Sequence, residues 1–322
     1  MSKAFSVIVP SYNRADLVSA TIDSLLQQIL SPVEIIIVDD GSTDHTKEVV
    51  AGYGAQVRFI QLNNSGPAAA RHAGVLASTC EYIAFCDSDD VWLPDHLSKL
   101  AQALEGAKTP YAFSNFSEVR NGRWEQADKF STAPPGYWQF KKQLLGEDVS
   151  IADEPLYPLL LEFQPIFPSC TAMSRRFYDQ VGGYNPAFGF IPSEDLEFTL
   201  RCVCHRGVGI VSKPTVGIRK HSGNMSADIT KQLDGEIQIL AYSQRHHRID
   251  SVWNKAIRRQ IIKRSILGFD SAFATSEIGL AREFARNIPL YRRSPKFYLK
   301  QAIACLPEVL AVKFSNKFAG SR

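Results

Sequence analysis

The residues best suited to chemistry follow short apolar runs in the first 90 positions of the chain. The densest group is Asp87-Ser88-Asp89-Asp90, which places three carboxylates within four residues. Like charges this close repel one another, and a divalent cation such as Mg²⁺ or Mn²⁺, which takes one or two protein carboxylates with substrate phosphates, would stabilise them. The alternative is structural, because an aspartate before Val91-Trp92-Leu93-Pro94 also suits a helix N-cap.

Three other polar groups follow the remaining apolar runs. Asp39 or Asp40 could accept hydrogen bonds from a nucleotide base or ribose, although Asp-Gly-Ser is also turn chemistry. Tyr12 and Arg71 also have structural interpretations: Tyr12 could be an ordinary strand-end aromatic residue, and Arg71 could be a solvated helix residue. The three groups are Pro10-Ser11-Tyr12-Asn13-Arg14, Asp39-Asp40-Gly41-Ser42, and Asn63-Asn64-Ser65-Gly66 with Arg71 beyond it.

The elements that must position these groups alternate between two hydrophobic patterns. Runs rich in β-formers are separated by segments of helical period, which predicts βαβ units and a parallel sheet. Because ligands bind at the carboxyl ends of strands in such sheets, all four polar groups are expected at one edge. The predicted strands are Phe5–Val9, Val33–Val38, Val57–Leu62 and Tyr82–Cys86, and the predicted helices are 16–29, 43–51, 67–77 and 94–104.

The pattern changes after Tyr111. Residues 111–165 are rich in proline, glycine and aromatic side chains, and a helix is expected from Ser193 to about His205. A short strand is expected near Val208–Ser212, and the chain from about residue 232 onwards is predicted to be helical. Breaks in that helical region are expected at Pro289, Pro295 and Pro307.

Two acidic residues and one histidine are the candidates in the second half. Asp195, beside Glu194, could act as a general base held at a cleft, or both could be first-turn acidic residues after a Ser193 N-cap. His221 lies in an apparent loop, where it could be simply exposed or could bind a metal or a phosphate. His246-His247 lies in a basic helical stretch without metal-ligand spacing and is interpreted as surface.

The composition favours a reduced, cytosolic protein with an uneven charge. The chain has 322 residues, a net charge of +3, no apolar run of the ~18 residues that a membrane span needs, and no secretory signal. Six cysteines in this length do not form a disulfide framework. Residues 241–322 carry 16 Lys or Arg against 5 Asp or Glu, so this basic tail is expected to meet something anionic or to form a solvated helical face.

Five motifs occur in order along the chain. They are Val7-Ile8-Val9-Pro10-Ser11-Tyr12-Asn13, Ile37-Val38-Asp39-Asp40-Gly41-Ser42-Thr43-Asp44, Gly66-Pro67-Ala68-Ala69-Ala70-Arg71, Asp87-Ser88-Asp89-Asp90, and Val181-Gly182-Gly183-Tyr184 followed by Glu194-Asp195. Together they resemble family 2 glycosyltransferases with the GT-A fold over about residues 4–225. The resemblance implies an α/β fold with a Rossmann-like, mostly parallel sheet flanked by helices, then a mixed acceptor half and a helical C-terminal tail.

The resemblance also implies three parts and a task for each matched residue. Residues 1–110 would bind the nucleotide-sugar, 111–230 would hold the acceptor and the catalytic base, and 231–322 would form the basic helical region. Asp40 would hold the base with Asp39 beside it. The implied nucleotide-sugar-binding residues are Pro10, Tyr12, Asn13, Asp39, Asp40, Arg71, Asp87, Ser88 and Asp89.

The implied cofactor is Mn²⁺ or Mg²⁺, and the implied catalytic base is Asp195, with Glu194 on the acceptor side. Asp87 and Asp89 would form the D-x-D that places the metal and the donor ribose. The implied metal ligands are Asp87, Asp89, Asp90 and His221. His72 departs from the pattern, since many members carry asparagine after the arginine, and this difference puts little in doubt.

The implied reaction moves one sugar from a nucleotide diphospho-sugar to an acceptor hydroxyl with inversion, in polysaccharide or lipopolysaccharide synthesis. The Q-x-x-R-W motif of processive synthases is absent, so single-sugar addition is expected. The expected partners are a glycan or lipid-linked acceptor and an anionic membrane surface at the inner face of the cytoplasmic membrane, with no nucleic acid. A nucleotidyltransferase would need a G-x-G-T-R segment, which is absent. The remaining alternative is a non-catalytic module that only binds nucleotide-sugars.

Overall fold

The computed structural model describes residues 3–107, 110–221, 223 and 228–319, except for the side chains of 317–319. The chain divides into two compact units. The first comprises Met1–Phe190 with Phe198–Ser222, and the second comprises Ile191–Glu197 with Gly223–Arg322. The predicted parts 1–110 and 111–230 both contribute strands to the same sheet.

The first unit is built on a sheet of eleven strands within the described residues, in the order β3-β2-β1-β4-β10-β6-β11-β9-β8, with β5 beside β11 and β7 beside β6. Strands β1 to β4, β6 and β11 all run in one direction, since β10 is antiparallel to both β4 and β6. The strands are β1 Phe5–Ser11, β2 Glu34–Asp39, β3 Arg58–Gln61, β4 Tyr82–Phe85, β5 Val91–Trp92, β6 Tyr111–Arg120, β7 Arg123–Asp128, β8 Lys142–Leu144, β9 Val149–Ala152, β10 Thr171–Ser174 and β11 Gly209–Lys220.

Helices cover the sheet, and the central strands are buried as their continuous apolar runs predict. All seven residues of β1 are buried. Helix α3 approaches the sheet closely at Gly74, where an added Cβ would meet the Ile8 side chain at 2.4 Å. The helices of this unit are α1 Val18–Leu26, α2 Thr46–Ala51, α3 Pro67–Ala77, α4 His96–Gly106, α5 Tyr157–Glu162 and α6 Arg175–Gln180. A further helix, α7 Glu194–Cys202, begins in the second unit and enters the first at Phe198.

The long strand β11 is where the structure differs most from the sequence prediction. The short strand expected near Val208–Ser212 continues to Lys220. Its register on β6 shifts between Val211 and Pro214 and again between Pro214 and Val216, so a bulge interrupts the hydrophobic pattern. The expected irregular region 111–165 likewise contains β6 to β9. Two of these strands, β6 and β9, pair with β11, which is distant in sequence.

The second unit is helical, as predicted, and the expected breaks are confirmed. Pro289 precedes a short 3₁₀ helix at Leu290–Arg292, Pro295 begins α11, and Pro307 directly precedes α12. Side-chain caps from Asp228, Asp250 and Ser294 start three of the helices. The helices are α8 Ile229–His246, α9 Ser251–Ala274, α10 Ile278–Arg286, α11 Pro295–Ala304 and α12 Glu308–Ala319. Within 3–107, 110–221 and 228–319, no helix combines the length and apolar character needed to cross a bilayer.

A buried histidine links α4 to the sheet and predicts a loss of stability in acid. His96 is fully buried, and its Nδ1 lies 2.8 Å from Thr215 Oγ1. Burial lowers the pKa of His96 from 6.5 to about 3, against a smaller opposing effect of Asp95. Below pH 6.5 the His96 ring therefore binds a proton in the unfolded chain but not in the folded chain. The contribution of His96 to the free energy of unfolding is full above pH 6.5 and is lost as the pH falls from 6.5 towards 3.

We expect His96 to make the free energy of unfolding fall by ~1.4 kcal/mol per pH unit in that window. Urea unfolding of the wild type and of His96→Asn from pH 7 to pH 4 measures this, with the exposed His246→Asn as the matched control. The His96→Asn curve should be flatter than the other two. Equal slopes for all three proteins would contradict the prediction.

Candidate functional site

The loops after β1 and β2 are held together by hydrogen bonds around Asn13. The Asn13 N–H donates to Ser42 Oγ at 2.8 Å, and its Oδ1 accepts the Thr43 N–H at 2.8 Å. Asn13 has a φ of 51°, in the left-handed region that asparagine tolerates better than most residues. Ser42 donates from its N–H and hydroxyl to Asp39, so Asp39 organises its own turn. Tyr12, the first residue after β1, is 42% exposed.

Asp40 holds the loop that follows β3. Its carboxylate accepts the N–H groups of Ser65 at 2.7 Å and Gly66 at 2.6 Å, and it is only 4% exposed. Gly66 has a φ of 89°, and an added Cβ would lie 2.1 Å from the Gly189 carbonyl oxygen. This position therefore requires glycine, and the start of α3 is fixed beside the first two loops.

Arg71 is buried against the loop after β4, so the solvated alternative for it is wrong. Its side chain is 5% exposed and pairs with Asp87 at 2.7 Å. The guanidinium also lies over the Tyr184 ring at 5.3 Å. The Ser169 hydroxyl accepts the Asp87 N–H at 2.9 Å. Arg71 thus fixes the first aspartate of the D-x-D.

Asp89 and His221 meet although they lie far apart in the sequence. His221 Nε2 is 3.1 Å from Asp89 Oδ2, and Arg14 Nε is 3.5 Å from the same oxygen. The Asp89 side chain is 15% exposed and His221 is 24% exposed. Asp89 follows β4 and His221 follows β11, two strands that run in the same direction. One carboxylate and one imidazole therefore converge at the edge where ligands are expected.

Asp90 faces the interior. The Ser169 hydroxyl donates to one of its oxygens at 2.5 Å, and the Arg219 N–H donates to the other at 3.2 Å. Burial, together with the charges of Asp89 and Asp87, raises the pKa of Asp90 well above its usual range. Asp90 is also no helix N-cap, since β5 follows it and α4 begins only at His96.

Two residues that organise this edge were not predicted from the sequence. The Arg219 guanidinium donates to the carbonyl oxygens of Asp89 and Leu17 and to Thr21 Oγ1. Ser169 binds both Asp87 and Asp90. Neither residue lies in a motif, and their contacts depend on the register of β11 and on the loop before β10. The one sequence signal for a role of Arg219 is its position as a basic residue two places before the candidate His221.

The predicted metal ligands supply only part of the coordination that a divalent cation needs. Among the described residues, no group of three or more His, Cys, Asp or Glu side chains is arranged to hold a metal ion. Asp89 and His221 form a two-residue set, which suits cations that complete their coordination with water and substrate phosphates. The carboxylate of Asp89 and added water molecules are ligands that suit both Mg²⁺ and Mn²⁺.

The first turn of α7 belongs to the second unit and carries Glu194 and Asp195. Glu194 is 7% exposed and Asp195 is half-buried. Ser193 has a φ of 65°, which is not the extended conformation of an N-cap. Strained backbone of this kind persists only where the surrounding structure enforces it, and it is common at functional sites.

Comparison with known protein families and curated proteins gives consistent matches. The family model described as "Glycosyl transferase family 2" matches residues 6–182. The glucosyltransferase WfaP of Escherichia coli, which by its name uses UDP-Glc and α-D-GlcNAc-diphosphoundecaprenol, is 29% identical over 78% of this chain and 92% of its own length. The succinoglycan biosynthesis protein ExoO of Rhizobium meliloti is 39% identical over 35% of this chain and 33% of its own.

Solved structures match the fold along nearly the whole chain. TarS 1–349 of S. aureus in complex with UDP-GlcNAc has a TM-score of 0.63 and 17% identity, covering 99% of this chain and 91% of its own. A UDP complex of the same protein matches with a TM-score of 0.61. At this identity the likeness concerns the fold, and it agrees with the predicted mixed α/β sheet followed by helices.

Proposed function

The chain belongs to glycosyl transferase family 2, and we propose that it moves one sugar from a nucleotide diphospho-sugar to an acceptor hydroxyl with inversion. The observation that supports this most directly is the meeting of Asp89 and His221 at 3.1 Å, at the carboxyl edge of the sheet. The loops after β1, β2 and β3 reach the same edge and are linked to one another by Asn13 and Asp40.

We propose that the donor lies across these loops. Exposed Tyr12, with Pro10 and Asn13, would contact the base, and Asp40 would orient it by holding the loop through Ser65 and Gly66. Asp87, fixed by Arg71, and Ser88 would contact the ribose side of the nucleotide. UDP is the first donor nucleotide to test, because TarS has been solved in complex with UDP-GlcNAc and with UDP, and the name of WfaP specifies UDP-Glc.

Asp89 and His221 are the proposed ligands of Mn²⁺. When bound, the cation would stabilise the charge that develops on the leaving nucleoside diphosphate. That Asp87 and Asp90 are also metal ligands stays a prediction. Their contacts favour a part in holding the D-x-D turn, since Asp87 pairs with Arg71 and Asp90 binds Ser169 and the Arg219 main chain. Arg219 would keep the D-x-D turn in place through the Asp89 carbonyl.

Asp195 is the proposed general base. It would accept the proton of the acceptor hydroxyl as that oxygen attacks the anomeric carbon and the nucleoside diphosphate leaves on the opposite face. Asp195 lies half-buried in the first turn of α7, where a carboxylate interacts favourably with the helix dipole. Glu194 is the proposed acceptor-side neighbour, although its burial also suits a structural task.

The acceptor we propose is a lipid-linked glycan, within the synthesis of a cell-surface polysaccharide. This rests on the named substrate of WfaP and on the succinoglycan pathway named for ExoO. Such an acceptor would place the protein at the inner face of the cytoplasmic membrane. The stretch 284–307 contains five Lys or Arg and no Asp or Glu, so it is positively charged. The exposed surface of residues 290–299 lies within this stretch, and its charge supports a location on an anionic membrane.

This surface combines exposed apolar side chains at its two ends with exposed basic side chains between them. Leu290, Tyr291, Tyr298 and Leu299 are between 47% and 77% exposed. Arg292 and Lys296 are exposed between them. By contrast, the Lys300 side chain is buried against Asp270, and Arg264 pairs with Glu236, so these two basic residues of the tail do not belong to the surface.

We expect Arg292→Gln with Lys296→Gln to weaken binding to anionic vesicles by about 30-fold, at ~1 kcal/mol for each charge. Flotation with phosphatidylglycerol-containing and pure phosphatidylcholine vesicles measures this. Arg258→Gln with Lys263→Gln, the same charge change on exposed α9 positions, is the control and should bind like the wild type. Equal flotation of both double variants would contradict the assignment to residues 290–299.

Thermal shift with a panel of UDP-, GDP- and dTDP-sugars, with and without Mn²⁺, tests the donor proposal. A ligand that binds only the folded state raises the melting temperature, and at a concentration 100 times Kd it adds ~2.7 kcal/mol. A shift for one nucleotide that requires Mn²⁺ is the expected result. A folded protein that responds to no donor would contradict it.

A further inference from the structure

The segment that carries the proposed base is held by helix α8 of the second unit. Residues Ile191–Glu197 pack with the helices of Gly223–Arg322 rather than with the sheet unit. Two contacts of α8 reach this segment, one on each side of Asp195. His247, directly after the end of α8, binds Glu197, and Gly235 in the middle of α8 lies against Pro192.

The contact at Glu197 is a buried pair. His247 Nε2 lies 3.1 Å from Glu197 Oε1, and both side chains are only 4% exposed. The prediction that His247 is a surface residue is therefore wrong, whereas its neighbour His246 is exposed and stacks on Tyr242. Glu197 lies in the same helical turn as Asp195, so this pair restrains the rotation and position of that turn.

The contact at Pro192 is a close backbone approach. A Cβ built on Gly235 would lie 2.2 Å from the Pro192 carbonyl oxygen and 2.9 Å from its carbonyl carbon. Only glycine allows α8 to lie this near the segment. Pro192 immediately precedes Ser193, whose φ of 65° needs enforcement by its surroundings. Helix α8 therefore fixes the chain both before and after Asp195.

We propose that His247 and Gly235 are positioning residues that orient the Asp195 carboxylate for proton abstraction. The proposal rests on the proposed function, because it takes Asp195 as the base. It assigns the C-terminal helices a part in the catalytic step in addition to any part in membrane binding. Since the two contacts act on the base and not on the loops that hold the donor, their loss should lower kcat and leave the KM for the donor unchanged.

The test compares kcat and donor KM in matched variants of the full chain. We expect His247→Ala to lower kcat at least ~10-fold, since misplacing a catalytic group by about 1 Å can cost 10²-fold. His247→Gln, which keeps a hydrogen-bond donor towards Glu197, should recover most of this loss. His246→Ala, a change at the exposed neighbour, should behave like the wild type.

Gly235→Ala tests the second contact independently and decides the matter if His247→Ala does not fold. It should lower kcat with an unchanged donor KM. Gly279→Ala is its control, because that helical glycine has no atom within 4 Å of an added Cβ. Wild-type kcat in folded Gly235→Ala, or equal activity of His247→Gln and His247→Ala, would overturn the proposal.

The outcome for Asp195→Asn separates this inference from the proposed function. If Asp195→Asn transfers sugar as well as the wild type, the assignment of the base fails and the positioning proposal fails with it. If Asp195→Asn is inactive while Gly235→Ala and His247→Ala keep the wild-type kcat, only the positioning proposal fails.

Discussion

Replacing Asp195 by asparagine is expected to reduce kcat for sugar transfer by ~10²–10⁴-fold, the usual contribution of a general base. Asparagine keeps the size and hydrogen-bonding capacity of the side chain but cannot take the proton from the acceptor hydroxyl. The proposed donor contacts lie in the loops after β1 to β4, so the Mn²⁺-dependent thermal shift produced by the donor should be nearly unchanged. Steady-state kinetics and thermal shift on the same preparation measure both.

The matched control for this variant is Asp234→Asn on α8, whose carboxylate accepts a hydrogen bond from Gln238 on an exposed helix face. It makes the same chemical change on the helix that holds the base segment, and it should retain wild-type kcat. Equal activity of Asp195→Asn and the wild type would rule out Asp195 as the base.

Replacing Asp89 by asparagine is expected to abolish the metal-dependent part of donor binding. Loss of residues that merely support a metal ligand typically costs 10–100-fold in metal affinity, so loss of a direct ligand should cost at least ~100-fold. The variant also removes the carboxylate charge that faces Arg14 and His221. Titration with Mn²⁺ in the presence of the donor, followed by thermal shift, gives the apparent affinities.

Asp148→Asn, which alters an ion pair with Lys99 away from the D-x-D, is the control and should bind Mn²⁺ and donor normally. Removal of metal with EDTA should make the wild type resemble Asp89→Asn. A donor-induced shift in Asp89→Asn that still depends on Mn²⁺ with wild-type affinity would contradict the assignment of this ligand.

Local patterns were sufficient for the half of the sheet that is proposed to bind the nucleotide. Helix α3 matches its predicted bounds of 67–77 because Gly66, Pro67 and the apolar period give independent signals at its start and along its face. The four strands preceding the polar groups are also confirmed within one or two residues of their ends. In these βαβ units, each element is encoded by its own sequence and not by a distant partner.

The site required information that no local pattern contains. Asp89 and His221 are 132 positions apart, and Arg219 reaches the Asp89 carbonyl only because β11 continues through a bulge at Pro214. His247 resembles a surface residue in sequence because its neighbours are basic, yet it is buried against Glu197. Such contacts depend on strand register and on how helices pack, which the order of residue types alone does not determine.

The most direct test of the central claim is sugar transfer itself. Wild-type protein is incubated with Mn²⁺, the donor selected by thermal shift, and a short-chain polyprenyl-diphospho-GlcNAc acceptor, and the lipid product is analysed by mass spectrometry. We predict that the acceptor gains the mass of one sugar, that one nucleoside diphosphate is released per transfer, and that Asp195→Asn produces neither. A protein that binds the donor with Mn²⁺ yet neither extends this acceptor nor releases nucleoside diphosphate would contradict the account and favour a module that only binds nucleotide-sugars.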